Sequence, residues 1–253
     1  MKRILCTNDD GYLAPGLALL TTAASKLGEV TVVAPDREQS ATSHSLTLHR
    51  PLRVKVTAGG VYYIDGTPTD CVLVANHGIL DRPPDLVLSG VNHGPNMGED
   101  ILYSGTVAAA MEATLLGIPA LAISFANDEL EPPGDEYEEA IVILLELILS
   151  HQELPKRTLL NINIPAVPPS DIRGLRVTSL GRRYWSESLT RGHDPHGREY
   201  YWIGGGESRW SGGDQSDFKA VDSGYISVTP LHLDLTDYDL IETFKTWNSD
   251  LDL

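Results

Sequence analysis

Arg3-Ile4-Leu5-Cys6-Thr7-Asn8-Asp9-Asp10-Gly11 is the stretch from which the fold can be read. An apolar run near the N-terminus stops at two adjacent carboxylates and a glycine. With both faces non-polar, the run reads as a buried strand of a parallel sheet. Pro15 and Gly16 then open a segment in which Leu17, Leu20, Ala24 and Leu27 recur at helical spacing, with Gly28 placed to end it. Asp9 and Asp10 therefore stand where a first strand turns towards a first helix, at the carboxyl edge of an open α/β sheet. Such sheets bind ligands in the crevice outside that edge. Two neighbouring carboxylates repel unless a cation or a proton neutralises one of them. An Asx-type turn with one aspartate capping the helix would also account for the pair.

Further along, residues 30–34 read as a second strand, followed by a polar loop over 37–44 that carries Ser40. Residues 45–49, 53–57 and 61–64 alternate and are expected to form an antiparallel excursion. The run 66–70 supplies turn and cap residues for a helix through Cys71, Val72, Val74 and Ala75. Residues 85–89 read as the next parallel strand, and its exit loop, 90–98, has three glycines and two asparagines, a backbone able to come close to a ligand. Ser104-Gly105-Thr106 opens a helix whose free N–H groups and positive dipole end suit a phosphate. Strands over 120–125 and 159–164 and a helix over 137–149 continue the alternation.

Past Pro165 the character changes. The glycine run at 204–206 and the aromatics Tyr184, Trp185, Tyr201 and Trp202 suggest β-ribbons, with a return strand over 225–231 and a last amphipathic helix over 239–247. The expected organisation is a Rossmann-like core over 1–165, a mostly parallel sheet with helices on both faces, and a C-terminal region over 166–253 with an extended β-ribbon arm, a return strand and a terminal helix.

The formal net charge of −16 leaves no general basic footprint, which argues against a binder of nucleic-acid polymers or of anionic membranes. A small phosphorylated substrate would need a local metal, arginines or backbone amides to overcome that field. Cys6 and Cys71 show neither zinc spacing nor a disulfide framework. No apolar run reaches the ~20 residues of a membrane span, and no signal-peptide pattern is seen, so a cytoplasmic protein is expected.

Three strand ends carry polar residues: Asp9 and Asp10, Ser40, and Asn92. Each alone is ordinary turn chemistry. Jointly they matter, because neighbouring strand ends lie ~5 Å apart and share one crevice. The donors are all oxygen, which suits a hard ion such as Mg²⁺, Mn²⁺ or Ca²⁺ and disfavours a structural zinc. With the helix start at Ser104 facing the same edge, the expected ligand pair is metal plus phosphate, and the expected reaction is metal-assisted phosphoester hydrolysis. With both carboxylates committed to the ion, water is the expected nucleophile, an aspartate being the other reading. The P-loop, G-x-G-x-x-G and G-x-S-x-G patterns are absent.

The runs TNDDG (7–11), VVAPDREQSATSHSLT (32–47), GTPTDCV (66–72), LVLSGVNHGPNMGEDILYSGTVAAAMEA (86–113), DPHGREYYWIGG (194–205) and SVTPLHLDLT (227–236) resemble the SurE family of stationary-phase survival proteins, nucleoside monophosphate phosphatases. The resemblance implies a Rossmann-like core with a swapped C-terminal segment, a homodimer or homotetramer, and one divalent metal ion per subunit, Mg²⁺ or Mn²⁺. It places Asp9, Asp10, Ser40 and Asn92 on the metal, and Asn96, Ser104, Gly105 and Thr106 on the phosphate side. The activity implied is hydrolysis of nucleoside 5′- and 3′-monophosphates, with short polyphosphate a further substrate of some members. Ser43, Thr69, Ala113 and a longer loop over 211–217 depart from the family's usual pattern, and none is a proposed ligand.

His232 is placed by the resemblance near the active site, where it would protonate the leaving alkoxide; a histidine tied down in a return loop explains it equally. His44, His49, His77 and His93 lack metal spacing and read as loop and surface residues. Tyr200, Tyr201 and Trp202 suit packing in an arm or subunit contact, with stacking on a nucleobase as the other reading. Asp65 and Asp70 read as turn and cap residues. Two other functions fit the same site: a regulator that binds Mg-nucleotide without hydrolysis, and a hydrolase of another phosphoester.

Overall fold

The computed structural model describes residues 1–127, 134–150, 154–185, 189–203, 208–245 and 247. Its centre is a nine-stranded, mostly parallel sheet. The chain enters through β1 (Lys2–Thr7), α1 (Pro15–Ser25) and β2 (Gly28–Pro35), then makes an excursion through β3 (Val54–Val56) and β4 (Tyr62–Ile64). It continues with α2 (Pro68–Val74), β5 (Leu86–His93), α3 (Gly105–Leu115), β6 (Ala120–Ala126), α4 (Glu138–Ser150) and β7 (Leu159–Pro165). Then come β8 (Leu175–Val177), four arm strands, namely β9 (Arg182–Trp185), β10 (Leu189–His193), β11 (Glu199–Ile203) and β12 (Ser208–Ser211), α5 (Asp217–Asp222), β13 (Ile226–Pro230) and α6 (Tyr238–Phe244). The strand order is β3-β4-β2-β1-β5-β6-β7-β13-β8.

Alternation along β1 explains the layering. Ile4 and Cys6 point to the side packed by Leu17 and Leu20 of α1 and Ile141 and Leu145 of α4. Leu5 points to the other side, with Cys71 and Val72 of α2 and Val107 and Ala110 of α3. Two apolar layers thus sandwich the sheet, as a run that is non-polar on both faces demands. Both cysteines are buried and free. Among the described residues, no helix is long and apolar enough to cross a membrane.

Several sequence expectations need correction. Gly28 does not end α1; Lys26 caps it, and Gly28 is the first residue of β2, paired with Lys2. Residues 45–49 form no strand, despite their alternation. Their hydrogen bonds go elsewhere: Thr47 N–H donates to Asp70 Oδ1 (3.0 Å), and the Ser45 carbonyl accepts from Thr67 Oγ1 (2.8 Å). β5 runs on to His93, so Asn92 belongs to a strand rather than to its exit loop. By contrast, the expected return strand is present as β13, which joins the main sheet with β8 beside it, and the expected ribbons are present as the antiparallel pairs β10–β11 and β9–β12. The glycine run at 204–206 lies outside the described residues.

Candidate active site

β2, β1 and β5 are consecutive in the sheet and parallel, so their carboxyl ends open on one crevice. Asp9 and Asp10 follow the end of β1. The loop after β2 comes to them, Gln39 N–H donating to the Asp9 carbonyl at 2.7 Å. Ser40, next in that loop, is exposed and donates its hydroxyl to Glu38 Oε1 at 2.9 Å. The loop is pinned behind Ser40 by Ser43, which bonds the Leu102 and Tyr103 carbonyls, and by His44, whose Nε2 lies 2.8 Å from the buried Glu112 on α3. That tie was not legible beforehand, since His44 and Glu112 stand 68 residues apart.

Asn92 reaches the crevice because β5 is irregular. Its register with β6 shifts between Ser89 and Asn92. Gly90 has φ +137°, and a Cβ there would sit 2.1 Å from the Ile123 carbonyl oxygen, so only glycine fits the bulge. The Asn92 side-chain NH₂ donates to the Gly94 carbonyl (2.8 Å), which turns Oδ1 towards Thr106.

α3 supplies the facing wall. Ser104 caps it, accepting from Val107 N–H at 3.1 Å and keeping its own O–H proton to donate. Gly105 touches Asp9: a Cβ on it would lie 2.7 Å from Asp9 Cβ and 2.9 Å from Asp9 Oδ2. The buried Thr106 hydroxyl donates to Asp9 Oδ1 in a short bond and stands 3.3 Å from Asn92 Oδ1. A single proton cannot serve both acceptors well, so Asn92 Oδ1 keeps lone-pair capacity. Thr106, expected on the phosphate side, has its hydroxyl engaged with Asp9.

Burial raises the pKa of Asp9, against the opposing hydrogen bonds from Thr106 and the amides of Gly105 and Thr106. Asp10 is pushed up to about 6, first by burial and then by the charge of Asp9, with the backbone amide of His93 (3.4 Å from Oδ2) pulling the other way. Two carboxyls that resist ionising together, with the oxygen of Asn92 beside them, form a donor set that suits a hard divalent cation. Asp9, Asp10 and Asn92 converge here, and the loop bearing Ser40 reaches the same edge.

Past the end of β5, over β6 and β7, Asn96 is almost buried, its NH₂ donating to Ser124 Oγ at 2.7 Å. His232 is not brought to the site within this chain. β13 runs antiparallel to β7, and Leu231 N–H bonds the carbonyl of Leu159, the first residue of β7. His232 is thus delivered to the amino edge of the sheet, exposed, with Nδ1 accepting from Asp234 N–H. Tyr200, Tyr201 and Trp202 lie exposed on β11. Asp70 is the N3 residue of a capping box with Thr67, whereas Asp65 holds Arg50 and the amide of Arg53.

The family model described as "Survival protein SurE" matches residues 4–187. A 5′-nucleotidase SurE of Gemmatimonas aurantiaca is 58% identical over 247 residues, spanning 97% of this chain and 98% of that protein. One of Legionella pneumophila (strain Lens) is 50% identical over 242 residues, spanning 95% and 94%. The crystal structure of a SurE protein from Aquifex aeolicus superposes with a TM-score of 0.86 at 43% identity, covering 97% of this chain and 99% of that one.

Proposed function

The chain belongs to the SurE family, and from that premise we propose that it is a 5′-nucleotidase, cleaving nucleoside 5′-monophosphates to nucleoside and phosphate in the cytoplasm with the help of a divalent cation. The observation that carries this reading is the convergence of Asp9 Oδ1 and Asn92 Oδ1 on the Thr106 hydroxyl, with Asp10 adjoining, at the tips of neighbouring strands. Asp9, Asp10 and Asn92 would hold Mg²⁺ or Mn²⁺, joined by Ser40 from the loop after β2. Such an ion supplies Lewis-acid polarisation of the phosphoryl group and activation of water.

The chain's own residues do the rest. The start of α3 presents the free proton of Ser104 and the positive end of the helix dipole to the phosphoryl oxygens, where charge grows in the transition state. Asn96 bounds the phosphate from past the end of β5. Thr106 fixes the rotamer of Asp9, and His93 N–H bonds Asp10. His232 of the same chain takes no part. Activity on 3′-monophosphates and short polyphosphate needs only the same phosphate-binding half. The exposed apolar residues of β11 and α6, among them Trp202, Ile203, Leu240 and Phe244, suit contacts in a homodimer or homotetramer.

The test is phosphate release from AMP with Mn²⁺ or Mg²⁺ present. EDTA should abolish it, and Asp9→Asn should fold normally while losing at least about 100-fold in kcat. An Asp9→Asn protein as fast as the parent would remove the mechanism. Tight nucleotide binding without turnover under any divalent ion would identify a regulator instead.

A further inference from the structure

β7 reads Leu159-Leu160-Asn161-Ile162-Asn163-Ile164-Pro165 and lies in the interior of the sheet. Asn161 and Asn163 are two residues apart, so their side chains leave the same face, and both are fully buried. Amides at such positions cost free energy unless their hydrogen bonds are made. Here nearly all of those bonds are made to one residue outside the strand. Asn163 Oδ1 accepts from Asn96 N–H (2.9 Å) and Asn163 Nδ2 donates to the Asn96 carbonyl (2.9 Å). Asn161 Nδ2 donates to the same carbonyl at 2.8 Å, and Asn161 Oδ1 is left without a partner among the described residues. Ser124, in register with Asn163 on β6, takes the remaining bond, from Asn96 Nδ2. Valine or isoleucine would suit sheet stability better at both positions, so these polar groups are explained by what they hold.

We propose that Asn163, with Asn161 and Ser124, is a positioning residue for the phosphate of the substrate, acting through Asn96. This rests on the reading of the site given above. Backbone N–H, carbonyl and side-chain amide of Asn96 are all fixed from below, which leaves the second proton of its NH₂ as a preset donor at the edge of the crevice. Gly98, two residues on, is fastened separately, its N–H donating to Oδ2 of the buried Asp217 at 2.8 Å. The residues that would hold the cation share none of these bonds: Asp9 and Asp10 follow β1, Ser40 lies in the loop after β2, and Asn92 is on β5.

The experiment compares the parent protein with Asn163→Ala, Ser124→Ala, Asn96→Ala and the double variant Asn163→Ala/Asn96→Ala. Binding of inorganic phosphate and of Mn²⁺ is measured by calorimetry, and kcat and KM are measured with AMP. Asn163→Ala and Ser124→Ala should each weaken phosphate and raise KM by about 3- to 10-fold, the worth of one lost hydrogen bond, with Mn²⁺ affinity unchanged. In the Asn96→Ala background Asn163→Ala should add less than about twofold, because the two act as one unit. Ser124→Ala removes a single hydroxyl and decides the matter if Asn163→Ala does not fold. Phosphate affinity and KM unchanged in every folded variant, or full additivity in the double variant, would overturn the proposal. Absence of AMP hydrolysis in the parent protein would instead remove the functional reading, and the phosphate titration would still report on Asn96.

Discussion

Asp9 is gripped by α3 closely enough that one methyl group decides its place. Gly105→Ala puts a Cβ within 2.9 Å of the Asp9 carboxylate while improving helix propensity. The variant should therefore stay folded, with a circular dichroism spectrum like the parent's, and lose about 100-fold in kcat/KM, as misplacement of a reacting group by ~1 Å does. Asp10 makes a prediction about pH. Its pKa in the folded protein, about 6, lies above the ~3.9 of an unfolded aspartate. A carboxyl with a raised pKa contributes its proton-linked stabilisation below the unfolded value and loses it as pH rises through the folded one. Without divalent ions, the parent should thus lose stability relative to Asp10→Asn between about pH 4 and pH 7, as followed by urea midpoints. At the same scale, Asp9, Asp10 and Asn92 were legible because each sits beside a strand end. The bond from Thr106 to Asp9 was not, because 97 residues separate them. Asn161 and Asn163 were hidden for another reason: polar letters inside an apolar run carry no sign of what they bond.

Elements were legible wherever an apolar run and its punctuation agreed, as in β1, β6 and β7. They failed where a pattern's partner was distant. Residues 45–49 alternate like a strand, yet their hydrogen bonds are taken by Thr67 and Asp70 at the start of α2. That start is a full capping box, Thr67 Oγ1 accepting from Asp70 N–H and Asp70 Oδ2 from Thr67 N–H, with Pro68 opening the helix. Thr67→Ala should cost about 1–2 kcal/mol, read from the shift of the urea midpoint at unchanged slope. His232 fails at this scale as well. The resemblance put it near the active site, but the direction of β13, which no local pattern records, carries it within this chain to the other edge.

Over the whole molecule, the order of strands gathers the acidic crevice, and ion binding should report on folding. A cation that binds the native crevice stabilises the protein by mass action, about 2.7 kcal/mol at a hundredfold excess over its dissociation constant. Mn²⁺ should therefore raise the melting temperature in a concentration-dependent way that EDTA reverses and Asp9→Asn abolishes. A melting temperature indifferent to Mn²⁺ would count against a native cation site. The general architecture was legible from the alternation of strands and helices up to residue 165. That β8 and β13 return to extend the same sheet was only partly so, since pairing between segments this far apart leaves no periodic trace.

The borders of the sheet carry a last implication. β3 and β8 stand at its two ends, each three residues long, with Lys55 and Arg176 at their centres. Rows of open backbone groups this short, interrupted by charge, make poor templates for another chain to add itself strand by strand. When crowded or warmed, this protein is guarded against fibril seeding at the margins of its largest sheet.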